Sequence, residues 1–373
     1  MDSATVVPPY VARPMELLPF RAVMLAPSRV GDPASARALA RPYRAVADRL
    51  TDWISRGRAT RDESPAVYLH EYTVAGLTIR GLVGALVMSR RAADPEDRAV
   101  WPHEGIHPEQ AGELADRMFS MGLNPAPILL VHRGPEALRA LMDRVSTAEP
   151  DWSFLDRTDQ RQRIWAVRDP RTITEVNELL TTSRCLLADG HHRYAAYLRL
   201  QEQHPGTDWD AGLAMVVDQS DTPLFLGAIH RTFEGSSIDD VLAAVTATGA
   251  TVVRDASRRD ALAALDPDHL VITDGTSWHV VRPGDLATAA AVSWLHDRVV
   301  PLVEPRPRRI DHHHSVDAAI ENAGPSSPAI LLPGPDFRQV SHLVESGGLL
   351  PEKATSFQPK PSLGVLMRPV HDG

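Results

Sequence analysis

The run Cys185-Leu186-Leu187-Ala188 is apolar and halts at Asp189-Gly190-His191-His192-Arg193, after which Tyr194, Tyr197, Leu198 and Gln201 recur at helical spacing until Pro205-Gly206. A short apolar run of this kind, ended by an Asp-Gly turn and followed by helical spacing, reads as a strand, a turn and a helix. A glycine directly after such a strand permits a tight turn and close backbone approach, and the helix start beyond it presents unpaired N–H groups to an anion. His191, His192 and Arg193 add side-chain donors at the same place, which suits a phosphate better than a neutral ligand. Asp189 would then either hold a metal that bridges phosphates or cap the helix. The bland alternative is a routine Asp-Gly turn with its histidines on a solvated helix start.

The flanking sequence supplies the remaining elements. Residues 1 to about 16 lack periodicity and predict a loosely ordered arm. Leu39, Tyr43, Val46, Leu50, Trp53 and Ile54 follow a helical spacing between Ala34 and Gly57. Ala66–Thr73 and Ile79–Met88 read as a hairpin turning at Gly76. Helices are expected over Pro108–Met121, Pro135–Val145, Arg171–Thr181 and Tyr194–Gln203, with strands over Ala126–Val131, Ile164–Val167, Gly212–Val217 and Leu224–Ile229. Mixed elements without a regular βαβ rhythm predict an α+β fold, and no internal repeat or heptad run is present.

Composition removes several functions. With 39 Lys plus Arg against 48 Asp plus Glu, the net charge of −9 leaves no electrostatic footprint for nucleic acid. One cysteine, Cys185, allows no internal disulfide and no cysteine-ligated metal, and mid-strand it reads as a buried small hydrophobe. Apolar stretches such as Gly81–Met88 fall far short of the ~20 residues that cross a bilayer. Asp2 stands where a signal peptide carries basic residues, so the expectation is a cytoplasmic protein with no membrane partner.

Weaker candidates lie elsewhere. Glu104, after Pro102-His103, has the chemistry of a general base on a hydroxyl, or is a surface carboxylate in a polar loop. Only two of the 39 basic residues are lysines, Lys353 and Lys360, and they flank Thr355 in one segment. That segment is either a phosphate clamp or an extended surface strip, and lysine as a point charge is not interchangeable with arginine there. His230-Arg231 follows a predicted strand end. Asp311-His312-His313-His314 resembles a metal cluster, but consecutive residues cannot all aim at one ion. No G-x-S-x-G elbow supports Ser-His-Asp catalysis.

Ala188-Asp189-Gly190-His191-His192-Arg193-Tyr194-Ala195-Ala196-Tyr197 resembles the signature of the ParB/sulfiredoxin superfamily, in the version found in a bacterial and archaeal family of unassigned function, domain of unknown function 1015, and in the related free serine kinases. Pro19-Phe20-Arg21, Pro102-His103-Glu104, Asn124-Pro125-Ala126-Pro127, His230-Arg231 and the run from Pro351 to Gly364 resemble further landmarks in the same order. The resemblance implies a ParB/sulfiredoxin-like nucleotide-binding core over residues 1–235, and an additional C-terminal α/β portion over 236–373 that returns its lysine segment to the site. It implies an Mg²⁺-dependent small-molecule kinase that moves phosphate from ADP or ATP to a metabolite hydroxyl, that of L-serine in the kinases. Glu104 and His192 would be catalytic, and Asp189 would hold Mg²⁺. Gly190, His191, His192, Arg193, Lys353, Thr355 and Lys360 would bind nucleotide or phosphate, and His103, His230 and Arg231 the substrate. Histidine replaces the reactive cysteine of sulfiredoxins at position 191, and Ala354 replaces a usual serine. The alternative function is a nucleotide-binding regulatory module without metabolite turnover. The oligomeric state is not legible.

Overall fold

The computed structural model describes residues 5–40, 45–284 and 291–370. The chain divides into two compact units, one of residues 1–102, 106–224 and 359–373, the other of residues 103–105 and 225–358. The division falls at Leu224/Phe225 rather than at the expected 235. The physical reason is that His230–Glu234 lies inside the sheet of the second unit, hydrogen-bonded on both sides.

The first unit is organised by a nine-stranded sheet. Its strands are β1 (Leu17–Leu18), β2 (Val67–Val74), β3 (Leu77–Val87), β4 (Val100–Pro102), β5 (Ile128–His132), β6 (Trp152–Leu155), β7 (Arg161–Val167), β8 (Cys185–Asp189) and β9 (Ala211–Asp218). The order is β4-β8-β5-β9-β3-β2-β7-β6, with β1 on the far part of β3. The hairpin β2–β3 forms as expected, because Ala75 and Gly76 both take positive φ (49° and 80°), the turn whose twist matches paired strands. β8 runs parallel to β4 and antiparallel to β5. Being flanked on both edges and covered on both faces, its residues Cys185 to Ala188 are all buried, which is why the run carries no polar alternation.

Among the described residues, five α-helices precede the glycine turn: α1 (Pro33–Ala40), α2 (Val46–Ser55), α3 (Pro108–Met121), α4 (Glu136–Ser146) and α5 (Pro170–Leu180). The single helix expected from Ala34 to Gly57 is therefore two. α2 starts from a non-helical Ala45 (φ −101°, ψ 7°), and Tyr43 lies outside the described residues. α6 (His191–Gln203) follows β8. It buries Tyr194, Ala195, Ala196, Tyr197, Leu198 and Leu200, so it is a core helix rather than a surface one. Gly212 on β9 permits that: a Cβ there would sit 2.3 Å from the Tyr197 ring.

The expected loose N-terminal arm is corrected for its described part. Val11 and Met15 are each 1% exposed. The Tyr194 hydroxyl donates to the Pro9 carbonyl and accepts from the Val11 amide, both at 2.9 Å. The arm has no periodicity because it is pinned by long-range partners instead of by its own pattern.

The second unit holds a six-stranded antiparallel sheet from β11 (His230–Glu234), β12 (Thr251–Val253), β13 (Leu270–Thr273), β14 (Trp278–Arg282), β15 (Arg309–His313) and β16 (Ala329–Leu331). Their order is β12-β14-β13-β16-β11-β15. A separate pair joins β10 (Phe225–Ala228) to β17 (Thr355–Gln358). The protein is thus a mixed α and β structure, and no helix among the described residues is long and apolar enough to cross a membrane.

Candidate functional site

The glycine turn of the first unit is built as follows. Asp189 ends β8, Gly190 takes a left-handed conformation (φ 91°, ψ 35°), and α6 begins at His191, three residues earlier than the apolar spacing predicts. A Cβ at Gly190 would lie 2.9 Å from Nε and Nη2 of Arg193 as well as being strained, so two constraints select glycine. With that space open, Arg193 folds back one turn and places Nη2 2.5 Å from Asp189 Oδ2. Lys360 Nζ binds the other oxygen, Oδ1. Lys360 is delivered by a segment tied at both sides: the Tyr72 hydroxyl donates to the Pro359 carbonyl at 2.7 Å, and Ser362 Oγ donates to Asp156 Oδ2 at 2.7 Å.

Burial pushes the Asp189 carboxyl up, but Arg193, Lys360 and His191 more than reverse this and leave it below the ordinary carboxylate value. A carboxylate depressed in the folded state stabilises the fold above its unfolded pKa, and loses that contribution as pH falls through the folded one. We expect the Tm gap between wild type and Asp189→Asn to be present at pH 7 and to narrow as pH falls below about 4, the ordinary carboxylate range. A gap that stayed constant down to pH 3 would contradict the ion-pair assignment.

The two histidines are not on a solvated face. His191 is 9% exposed. The Nε2 of His192 accepts from the His107 amide at 3.2 Å, and the two rings stack at 6.0 Å and 14°. His107 is 85 residues away in sequence and gave no local signal. Cys185 is a buried thiol whose pKa burial drives upward, with Sγ 3.7 Å from Met15 Sδ, in keeping with a packing role.

A magnesium ion held by side chains does not fit these residues. Both Asp189 oxygens are ion-paired, and among the described residues no group of three or more His, Cys, Asp or Glu could hold a metal. In the structure Asp189 clamps Arg193 and Lys360. The His312–His314 run likewise supplies no such group.

The second unit carries the other candidates. Glu104 pairs with Leu350 in a short parallel bridge. Its Oε2 accepts from the Lys353 amide at 3.2 Å and its Oε1 from the Ala354 amide at 3.0 Å. Lys353 takes φ 54°, which for a non-glycine residue is uncommon, and its side chain is exposed. His103 is fully buried with Nε2 2.8 Å from Thr355 Oγ1, and Thr355 is 9% exposed. The two side chains bind one another below the surface, which is where the structure places the expected substrate residue His103 and phosphate residue Thr355.

His230 and Arg231 are also buried and bound by other protein groups. The amide of Leu332 donates to His230 Nδ1 at 3.1 Å, and burial, with the charge of Arg231, pulls that imidazole down to about 4. Arg231 is 0% exposed and donates to the carbonyls of Ile229, Glu352 and Lys353 at 2.7, 3.3 and 2.9 Å, and to His296 Nε2 at 3.2 Å. His296 was not singled out from the sequence, since it lies 65 residues from its partner.

Comparison with known proteins places the chain. The protein family described as "Protein of unknown function (DUF1015)" matches residues 18–297. The chain belongs to that family. The DUF1015 match takes in Glu104, the Asp189–Arg193 turn and Arg231, and ends before Lys353 and Lys360. None of the proteins with curated function matches the chain. Solved structures similar to it include a free serine kinase in complex with AMP, 16% identical, covering 72% of this chain and 89% of that one at a TM-score of 0.39. A C-terminally truncated SbnI from Staphylococcus aureus is 11% identical, with 77% and 87% covered and a TM-score of 0.44. A conserved hypothetical protein from Pyrococcus furiosus is 15% identical, with 72% and 92% covered and a TM-score of 0.37.

Proposed function

We propose that this DUF1015 protein is a nucleotide-dependent phosphotransferase with a ParB/sulfiredoxin-like core, moving phosphate from ADP or ATP to the hydroxyl of a small metabolite, with L-serine the first to test. The observation that carries the reading is the pairing of Arg193 and Lys360 on one carboxylate beside the left-handed Gly190 and the first turn of α6. Two cations and a run of helix N–H groups are what a phosphate needs, and Asp189 holds the cations in place until one arrives. Phosphoryl transfer asks for positioning and positive charge more than for covalent help. Any Mg²⁺ would come with the nucleotide and not be held beforehand by the protein.

In the second unit Glu104 is the candidate base. A carboxylate has about four lone-pair positions, so two amides leave acceptor capacity for a hydroxyl. In the balanced step the hydroxyl proton passes to Glu104, the hydroxyl oxygen bonds to phosphorus, and the bond from phosphorus to the departing AMP or ADP oxygen breaks. One observation favours a second reading, a nucleotide-binding module without turnover: both Glu104 oxygens are already engaged by main-chain amides. Incubating the full chain with ADP or ATP, Mg²⁺ and a pool of amino acids and small alcohols, followed by mass spectrometry, separates the two. A phosphorylated product with AMP or ADP released in equal amount supports the kinase. Thermal stabilisation by nucleotide without product supports the module, and neither result leaves both without support.

A further inference from the structure

We infer that Arg231 is the positioning residue for Glu104, acting through the main chain of Glu352–Ala354 without touching any ligand. The inference rests on the reading of Glu104 as the base. The carbonyl of Glu352 and the amide of Lys353 belong to one peptide plane, and the carbonyl of Lys353 and the amide of Ala354 to the next. Arg231 Nη2 takes both planes by their oxygens, at 3.3 and 2.9 Å. Glu104 takes the same two planes by their N–H groups, at 3.2 and 3.0 Å. Because a trans peptide aims its oxygen and its hydrogen in opposite directions, the cation and the carboxylate hold the strap from its two sides.

The left-handed Lys353 lies between the two planes and turns successive N–H groups toward one anion. Successive amides in this conformation form the nest that binds anions elsewhere, and here the anion is a side chain of the protein itself. A non-glycine residue in this region persists only where its surroundings hold it there. Burying an arginine is costly, and an apolar side chain could fill the same volume. What the guanidinium adds is direction: its partners are three carbonyls and His296, so it acts as a multipoint donor fixed against β11.

Arg231→Met and Arg231→Lys in the full chain test this by amide hydrogen exchange over residues 350–358, and by carbodiimide labelling of Glu104 read by mass spectrometry. In Arg231→Met, exchange at Lys353 and Ala354 is expected to rise about tenfold or more while β8 and α6 keep wild-type protection. Labelling of Glu104 should rise with it, and lysine, which can still reach one carbonyl, should give intermediate values. Unchanged exchange and labelling in a folded Arg231→Met would overturn the inference; should methionine prevent folding, wild-type values in Arg231→Lys would do the same. In turnover, Arg231→Met should lower kcat by about 10²-fold with the nucleotide KM unmoved. A wild-type protein that phosphorylates nothing would remove the kinase reading, yet the exchange result would still decide whether Arg231 holds the strap.

Discussion

Glu104→Gln is expected to lower phosphate transfer by about 10²- to 10⁴-fold, the range contributed by a positioned general base, while nucleotide-induced thermal stabilisation persists. The side chain is nearly isosteric, so packing is retained. Its amide oxygen can accept from one of the Lys353 and Ala354 amides, but its NH₂ group faces the other and cannot accept from it. The variant therefore removes the base and half of its holder together. Steady-state assay of product and a thermal-shift titration with ADP, run on the same preparation, separate the two effects. Wild-type turnover by Glu104→Gln would end the assignment.

The second large effect concerns the cations. In an Arg193→Met, Lys360→Met double variant, Asp189 keeps its place at the end of β8 and loses both of its ion-pair partners. Each charge-assisted hydrogen bond to a phosphate contributes about 1.5–3 kcal/mol, so ADP should bind at least ~10²-fold more weakly, and the stabilisation it gives should vanish at moderate concentration. The single variants should not sum to the double, because the two cations share one carboxylate. Calorimetric titration of ADP into the three variants measures both the loss and the coupling. Unaltered ADP affinity in the double variant would move the nucleotide site elsewhere.

The strand, the glycine turn and the helix at residues 185–203 were legible because their causes are local: an apolar run, a glycine at positive φ and an apolar helical spacing. The helix start was misplaced by three residues, since His191 and His192 are polar in sequence yet buried or stacked in the fold. The two lysines stood out by their isolation in an arginine-rich chain, but their separate destinations did not. Lys360 reaches Asp189, whereas the contribution of Lys353 to Glu104 is made by its main chain and not by its charge. His230, Arg231, His103 and Thr355 have the residue types of a binding site, and only three-dimensional contacts reveal which other protein groups they bind. Asp189 shows the same limit: a sequence shows that an aspartate is present, not that two cations already hold it.

The three residues His103–Gly105 belong to the second unit although the chain on either side of them belongs to the first. Ribosomal synthesis therefore releases Glu104 some 249 residues before the first amide that holds it. The loop that must close is long, and such closures come late in folding. A nascent chain arrested before residue 350 would carry the glutamate without its strap, so Glu104 is held only once residue 354 has been made.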